Sequence, residues 1–206
     1  MKANIIGIII ALMLAFAGVI SVWGQDTKVS EVRKVDTFSS IEINSVAEIY
    51  FTQADHCSFT IEGKEKYVKL ITSTVKNGRL IIGSPKGTRI RNMKKGVTIH
   101  LTAPYLKQVD FSGVGTFFCE EPLKLDNIDF NISGVGSMEV AELVCRNLTV
   151  NLSGIGSAEL KVDCEHLDAN VSGIGGLTLS GKTHYANISS SGIGSVDRDD
   201  LKVVGD

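Results

Sequence analysis

Ser112-Gly113-Val114-Gly115-Thr116, Ser133-Gly134-Val135-Gly136-Ser137, Ser153-Gly154-Ile155-Gly156-Ser157, Ser172-Gly173-Ile174-Gly175-Gly176 and Ser191-Gly192-Ile193-Gly194-Ser195 are five versions of one pentapeptide. Successive serines lie 21, 20, 19 and 19 residues apart. A fixed period near twenty marks a repeat architecture, in which one unit cannot bury its apolar face without its neighbours. Ahead of each Ser-Gly the aligned repeats form columns. Ile128, Leu148, Leu167 and Ala186 share one, and Phe130, Val150, Ala169 and Ile188 the next. Ile132, Leu152 and Val171 form a third, broken by Ser190, and polar residues separate the columns. Such alternation is the mark of a strand with one buried face.

After the Ser-Gly the alternation resumes in a new phase, through Phe117, Met138, Ala158, Leu177 and Val196 and then Cys119, Val140, Leu160 and Leu179. Each Gly-x-Gly therefore reads as a corner between two strands, because corners need backbone conformations that a Cβ forbids. Ten glycines carry this role: Gly113, Gly115, Gly134, Gly136, Gly154, Gly156, Gly173, Gly175, Gly192 and Gly194. Units stacked in register at strand spacing, about 4.8 Å, would seal the apolar columns inside. The expected fold is all-β: a parallel β-helix, or β-solenoid, with about 20 residues per coil. Leucine-rich repeats are excluded because two glycines per unit leave no room for their helical segment.

Upstream, residues 35–111 read as less regular strands that form the opening coils or cap. Ile41-Glu42-Ile43, Ala47 to Phe51, Ser58 to Ile61 and Val97 to Leu101 alternate, and Asn77-Gly78 marks a turn before Leu80-Ile81-Ile82. Apolar residues at Tyr67, Val68, Leu70 and Ile71 fit a helical turn. Residues 1–24 have the form of a secretory signal: Lys2, an apolar run from Ile5 to Val22, and small residues before Gln25. Retained, the run is long enough to serve as a membrane anchor; removed, it would leave no membrane span, and no cysteine near Gly24 offers a lipid anchor. Residues 25–34 are expected to be a tail, and 35–206 one solenoid domain in two halves, 35–111 and 112–206. The expected location is outside the cytoplasm: periplasm, outer surface or medium.

Loss of Lys2 from 21 basic residues leaves 20 against 23 acidic ones. That balance excludes nucleic acid as an expected partner. Cys145 and Cys164 share a column, so a disulfide and a pair of buried free thiols are both open. The spacing of cysteine and histidine suits no metal site, and no cofactor is expected. Weak candidates for binding are Asn131, Asn151 and Asn170, which would form a ladder, and Arg89, Arg91, Lys94 and Lys95 in the basic loop from Ser84 to Gly96. Asparagine ladders more often stabilise stacked strands, and basic runs are more often solvated.

Phe38-Ser39-Ser40-Ile41-Glu42, Phe51-Thr52-Gln53, Ile61-Glu62-Gly63, Asn77-Gly78-Arg79-Leu80-Ile81-Ile82, the stretch Val97 to Val114 and the five repeats together resemble the auto-transporter adhesin, head GIN domain family. The resemblance implies an exported β-solenoid, mostly from Gram-negative bacteria, with an adhesin-like role. In that family the repeat often reads Ser-Gly-Ser-Gly-Asp, whereas here the third position is Val or Ile. The aliphatic residue either fills the interior or faces out as an apolar stripe. Three functions follow as expectations. The first is a non-catalytic binding module for a glycan or an envelope or host surface protein. The second is a carbohydrate-active enzyme, for which Glu139 and Glu159 in one column, Glu120-Glu121, and Asp197 to Asp200 are the nearest carboxylates. The third is a self-associating envelope protein.

Overall fold

A computed structural model describes residues 27–85 and 96–205. The signal-like segment, Gln25, Asp26 and the candidates Arg89, Arg91, Lys94 and Lys95 lie outside the described residues. Alternation becomes strand wherever it occurs. The described chain forms one 16-stranded, mainly parallel sheet that winds into a β-solenoid.

Each regular coil has three faces. The first face runs up to the Ser-Gly and is built by β2 (Ser40–Ile43), β8 (Gln108–Phe111), β11 (Asn127–Ile132) and the later halves of β12 (Val135–Leu152), β13 (Ile155–Val171) and β14 (Ile174–Ser190). The second face follows the corner. There β3 (Val46–Gln53) and β9 (Val114–Cys119) are succeeded by the opening halves of β12, β13 and β14, and then by β15 (Ile193–Asp197). The third, short face stacks β10 (Leu123–Lys124), the middles of β12 to β14 and β16 (Leu201–Val203). All the expected columns are in register: Phe130, Val150, Ala169 and Ile188 are successive partners, as are Phe117, Met138, Ala158 and Leu177. Their inward side chains make one core, with Phe111, Phe117, Phe130, Val150 and Leu160 fully buried.

The first half departs from a simple sequential stack. β6 (Arg79–Gly83) pairs below β2, and β7 (Val97–Ala103) pairs below β3. The pair β6 and β7 therefore lies under the coil made by β2 and β3, although it comes later in the chain. From β7 the chain must climb past that earlier coil to reach β8. Antiparallel strands close this end: β5 (Thr72–Lys76) on β6, and β4 (Ser58–Lys64) on β7. The residues expected to be a tail add another strand, β1 (Lys28–Val32), antiparallel to β4. A single helical turn, α1 (Glu65–Val68), follows β4, as the apolar spacing there anticipated.

Asn77 and Gly78 both take positive φ, 51° and 74°, which is the two-residue hairpin geometry whose twist suits paired strands. At the repeat corners the glycines answer chiefly to a different demand, close stacking. A Cβ on Gly156 would sit 1.7 Å from the Gly136 carbonyl oxygen, and one on Gly134 would sit 2.1 Å from that of Gly113. No side chain fits between corners packed so tightly.

Candidate functional site

The corners build the most regular exposed feature. At three of them the aliphatic N–H donates to the carbonyl of a glycine one coil below, Val135 to Gly113, Ile155 to Gly134 and Ile174 to Gly154, each at 2.9 Å, and Val114 donates to Ser45 at 3.0 Å. This ladder orients the intervening side chain outward. Val114, Val135, Ile155 and Ile174 are 46–53 % exposed, and Ile193 is 81 % exposed. The choice the sequence left open is thereby settled: these residues form an apolar stripe on the surface. They align along one axis because Val135, Ile155, Ile174 and Ile193 are successive strand partners. Beside them the serines and first glycines of the five repeats line a shallow groove that carries no charged side chain.

Asn131, Asn151 and Asn170 stand in register on the first face. Asn151 donates to Asn131 Oδ1 at 3.0 Å, Asn131 donates to Asp110 Oδ1 at 2.8 Å, and Ser189 donates to Asn170 Oδ1 at 3.2 Å. Their hydrogen-bonding capacity is largely turned along the stack. Below them the ladder continues into Arg79, whose guanidinium pairs with Asp110 and lies 3.5 Å from Glu42.

Two stacked aromatic groups were not singled out from the sequence. Tyr50 lies between His100 and Phe118 at centroid distances of 5.3 and 4.8 Å. His166 stacks on Tyr185 at 5.0 Å. His166 thus shares a rung with Tyr185 rather than with the adjacent His184. Asn147, His166 and Tyr185 form one wall of a polar trough, and Thr149, Asp168 and Asn187 the other. The signal for such groups is an aromatic at the same outward rung position in successive coils. It was hidden at Tyr50 and His100 by fifty residues of separation.

Glu139 and Glu159 are rung neighbours and both point to solvent. Among the described residues no group of three or more His, Cys, Asp or Glu is placed to hold a metal ion. Cys57, Cys119, Cys145 and Cys164 are free thiols in this structure. Burial, with a smaller contribution from Glu121, pushes Cys119 up to about 12. Cys145 and Cys164 are strand partners inside the core. A hydrogen bond between their thiols draws Cys164 down to about 7 and pushes Cys145 up.

The family described as "Putative auto-transporter adhesin, head GIN domain" matches residues 37–204. The chain belongs to that family. A crystal structure of a putative adhesin from Bacteroides fragilis is similar with a TM-score of 0.69 and 25 % identity, covering 84 % of this chain and 97 % of that one. A putative adhesin from Parabacteroides merdae has a TM-score of 0.51 at 19 % identity, covering 84 % of this chain and 97 % of its own. A putative lipid binding protein from Parabacteroides distasonis has a TM-score of 0.51 at 15 % identity, covering 88 % and 98 %. No curated protein matches the sequence. The family description and the Bacteroides fragilis structure, itself named a putative adhesin, point to a surface or exported protein of adhesin-like character.

Proposed function

We propose that this head GIN domain protein is a non-catalytic adhesion module, exported to the cell surface, which grips an apolar patch on a protein partner with its aliphatic ladder. One observation carries the reading: all five corners place a Val or Ile in solvent, at 46 % to 81 % exposure. Folding does not ask for this. Threonine is equally β-branched and would supply the same strand preference without apolar exposure. A contiguous apolar stripe kept in solvent is the usual signature of a surface that becomes covered. The ladder offers neither an aromatic face nor fixed polar groups beyond the serines, so its chemistry suits a protein surface better than a sugar.

A second reading rests on Tyr185, which is 54 % exposed and faces a trough lined with Asn147, Asp168 and Asn187. An aromatic beside amide and carboxylate groups suits a glycan, whose C–H face packs on the ring while its hydroxyls hydrogen-bond the walls.

One experiment separates the readings. Purified protein is bound to bacterial and host cells that have been treated with protease or with glycosidases. Ile155→Lys/Ile174→Lys and Tyr185→Ala are compared with the wild type. The ladder reading expects protease treatment and the double lysine variant each to lower binding at least about tenfold, roughly the loss of one to two buried aliphatic contacts. Equal binding by the double variant would overturn it. Loss on glycosidase treatment and in Tyr185→Ala would establish the glycan reading. Release of reducing ends from envelope polysaccharide would instead reinstate an enzyme, and concentration-dependent light scattering would point to self-association.

A further inference from the structure

Cys145 and Cys164 occupy the same rung position of consecutive coils on the short third face. Their strands pair in parallel register, Cys145 with Cys164. Both side chains point inward, at 8 % and 3 % exposure. Rung partners in a parallel sheet stand about 4.8 Å apart, inside the Cα separation of about 4.4–6.8 Å that disulfides span. On the next coil the position is held by Thr183, whose Oγ1 lies 3.4 Å from Cys164 Sγ. The remaining cysteines have no such partner: Cys119 pairs with Val140, and Cys57 directs its thiol at the Phe38 carbonyl.

We infer that Cys145 and Cys164 close into a disulfide that staples two consecutive coils when a thiol–disulfide exchange donor is present during folding. The chemistry is balanced by that donor. The Cys164 thiolate attacks one sulfur of the donor R–S–S–R and expels one thiolate. Cys145, on losing its proton, then attacks Cys164 Sγ in the mixed disulfide and expels the second. One disulfide bond breaks, one forms in the protein, and two R–SH are released. The protein loses two electrons to the donor. The thiol pair is prepared for this order of attack, since the hydrogen bond from Cys145 favours the thiolate at Cys164. Burial in the finished stack dictates when it happens. The donor meets the sulfurs while the coils are docking, and the closed bond is then shielded from reductant.

The staple has a direct structural consequence. It closes a loop of 18 intervening residues that contains the Ser153 corner, and so fixes the register of the two coils presenting Val135 and Ile155. In the reduced chain that register is held by backbone bonds, by the packed inward columns and by side-chain pairs such as Ser137 with Ser157 at 3.2 Å.

The full chain is denatured, reduced, refolded in a glutathione redox buffer, alkylated and mapped without reduction. The inference expects a linked peptide pair containing Cys145 and Cys164, a mass lower by two hydrogens, and alkylated Cys57 and Cys119. It also expects a thermal midpoint that falls by several degrees on reduction in the wild type and is unmoved in Cys145→Ser and Cys164→Ser. Should a serine variant fail to fold, the wild-type map decides alone. A folded wild type whose four thiols are all alkylated, or whose linkage involves Cys57 or Cys119, would overturn the inference.

Discussion

Gly156 shows what a single position in this fold has to satisfy. Its φ of +159° borders on extended backbone, so dihedral preference explains little of its identity. The carbonyl oxygen of Gly136, 1.7 Å from any added Cβ, explains the rest. Gly156→Ala is therefore expected to lower stability by about 3 kcal/mol, because backbone of two coils must part to admit the methyl group. Gly176 lies two positions beyond a corner, at the fifth place of its repeat, and is the control. A Cβ there would have no neighbour nearer than 3.9 Å. Gly176→Ala should change stability by no more than about 0.5 kcal/mol, and urea denaturation followed by circular dichroism distinguishes the two. The fourth place of the repeat is glycine five times out of five and the fifth only once. The carbonyl of the preceding coil is the reason.

Among the elements, the end closed by antiparallel strands differs most from the repeats. Edge strands of a parallel stack are open to pairing with other chains, and here β4 and β5 cover them by running the other way. β1 extends this cover, and Arg33 ties it down. Its guanidinium donates to the Ile71 and Val68 carbonyls at 2.7 and 3.0 Å and lies over the Phe59 ring at 5.7 Å. Arg33→Ala is expected to destabilise the fold by about 2 kcal/mol, since two carbonyls lose a charged donor. The same variant should aggregate sooner on heating, read by light scattering, as β1 frays from β4. The Asn77-Gly78 hairpin and the turn at Glu65–Val68 were legible from local residues. The strand at Lys28–Val32 was not, because half of its pairing information resides in β4.

At the scale of the whole molecule, order is expected to fall along the axis. Leu148, Val150, Leu167 and Ala169 are enclosed by coils on both sides and almost inaccessible. Their counterparts Ala186 and Ile188, and Val196 and Leu201 beyond them at the same end, are only partly buried. Hydrogen exchange should then be slowest in β11 to β13 and faster by about a hundredfold or more in β15 and β16, a difference of about 3 kcal/mol in local opening. Uniform protection from β11 to β16 would show that the stack opens only as a unit.

From sequence alone came the period, the inward columns and the corners. Each coil repeats the same local decision, and a side-chain period of two assigns every residue in a strand to one face once any of them is assigned. The family resemblance was legible for the same reason, since its motifs are those corners and columns. What the three-dimensional arrangement decided lies where that logic is interrupted. The phase of alternation resets at each corner, so whether Val114, Val135 and Ile155 face in or out depends on hydrogen bonds to the coil below. The order of the first two coils is likewise invisible locally. Nothing in residues 40–53 says that residues 79–103 will lie beneath them, because strand pairing over that distance is chosen by which buried faces complete one another. The stacked rings of Tyr50, His100 and Phe118 exist only as a result of that choice.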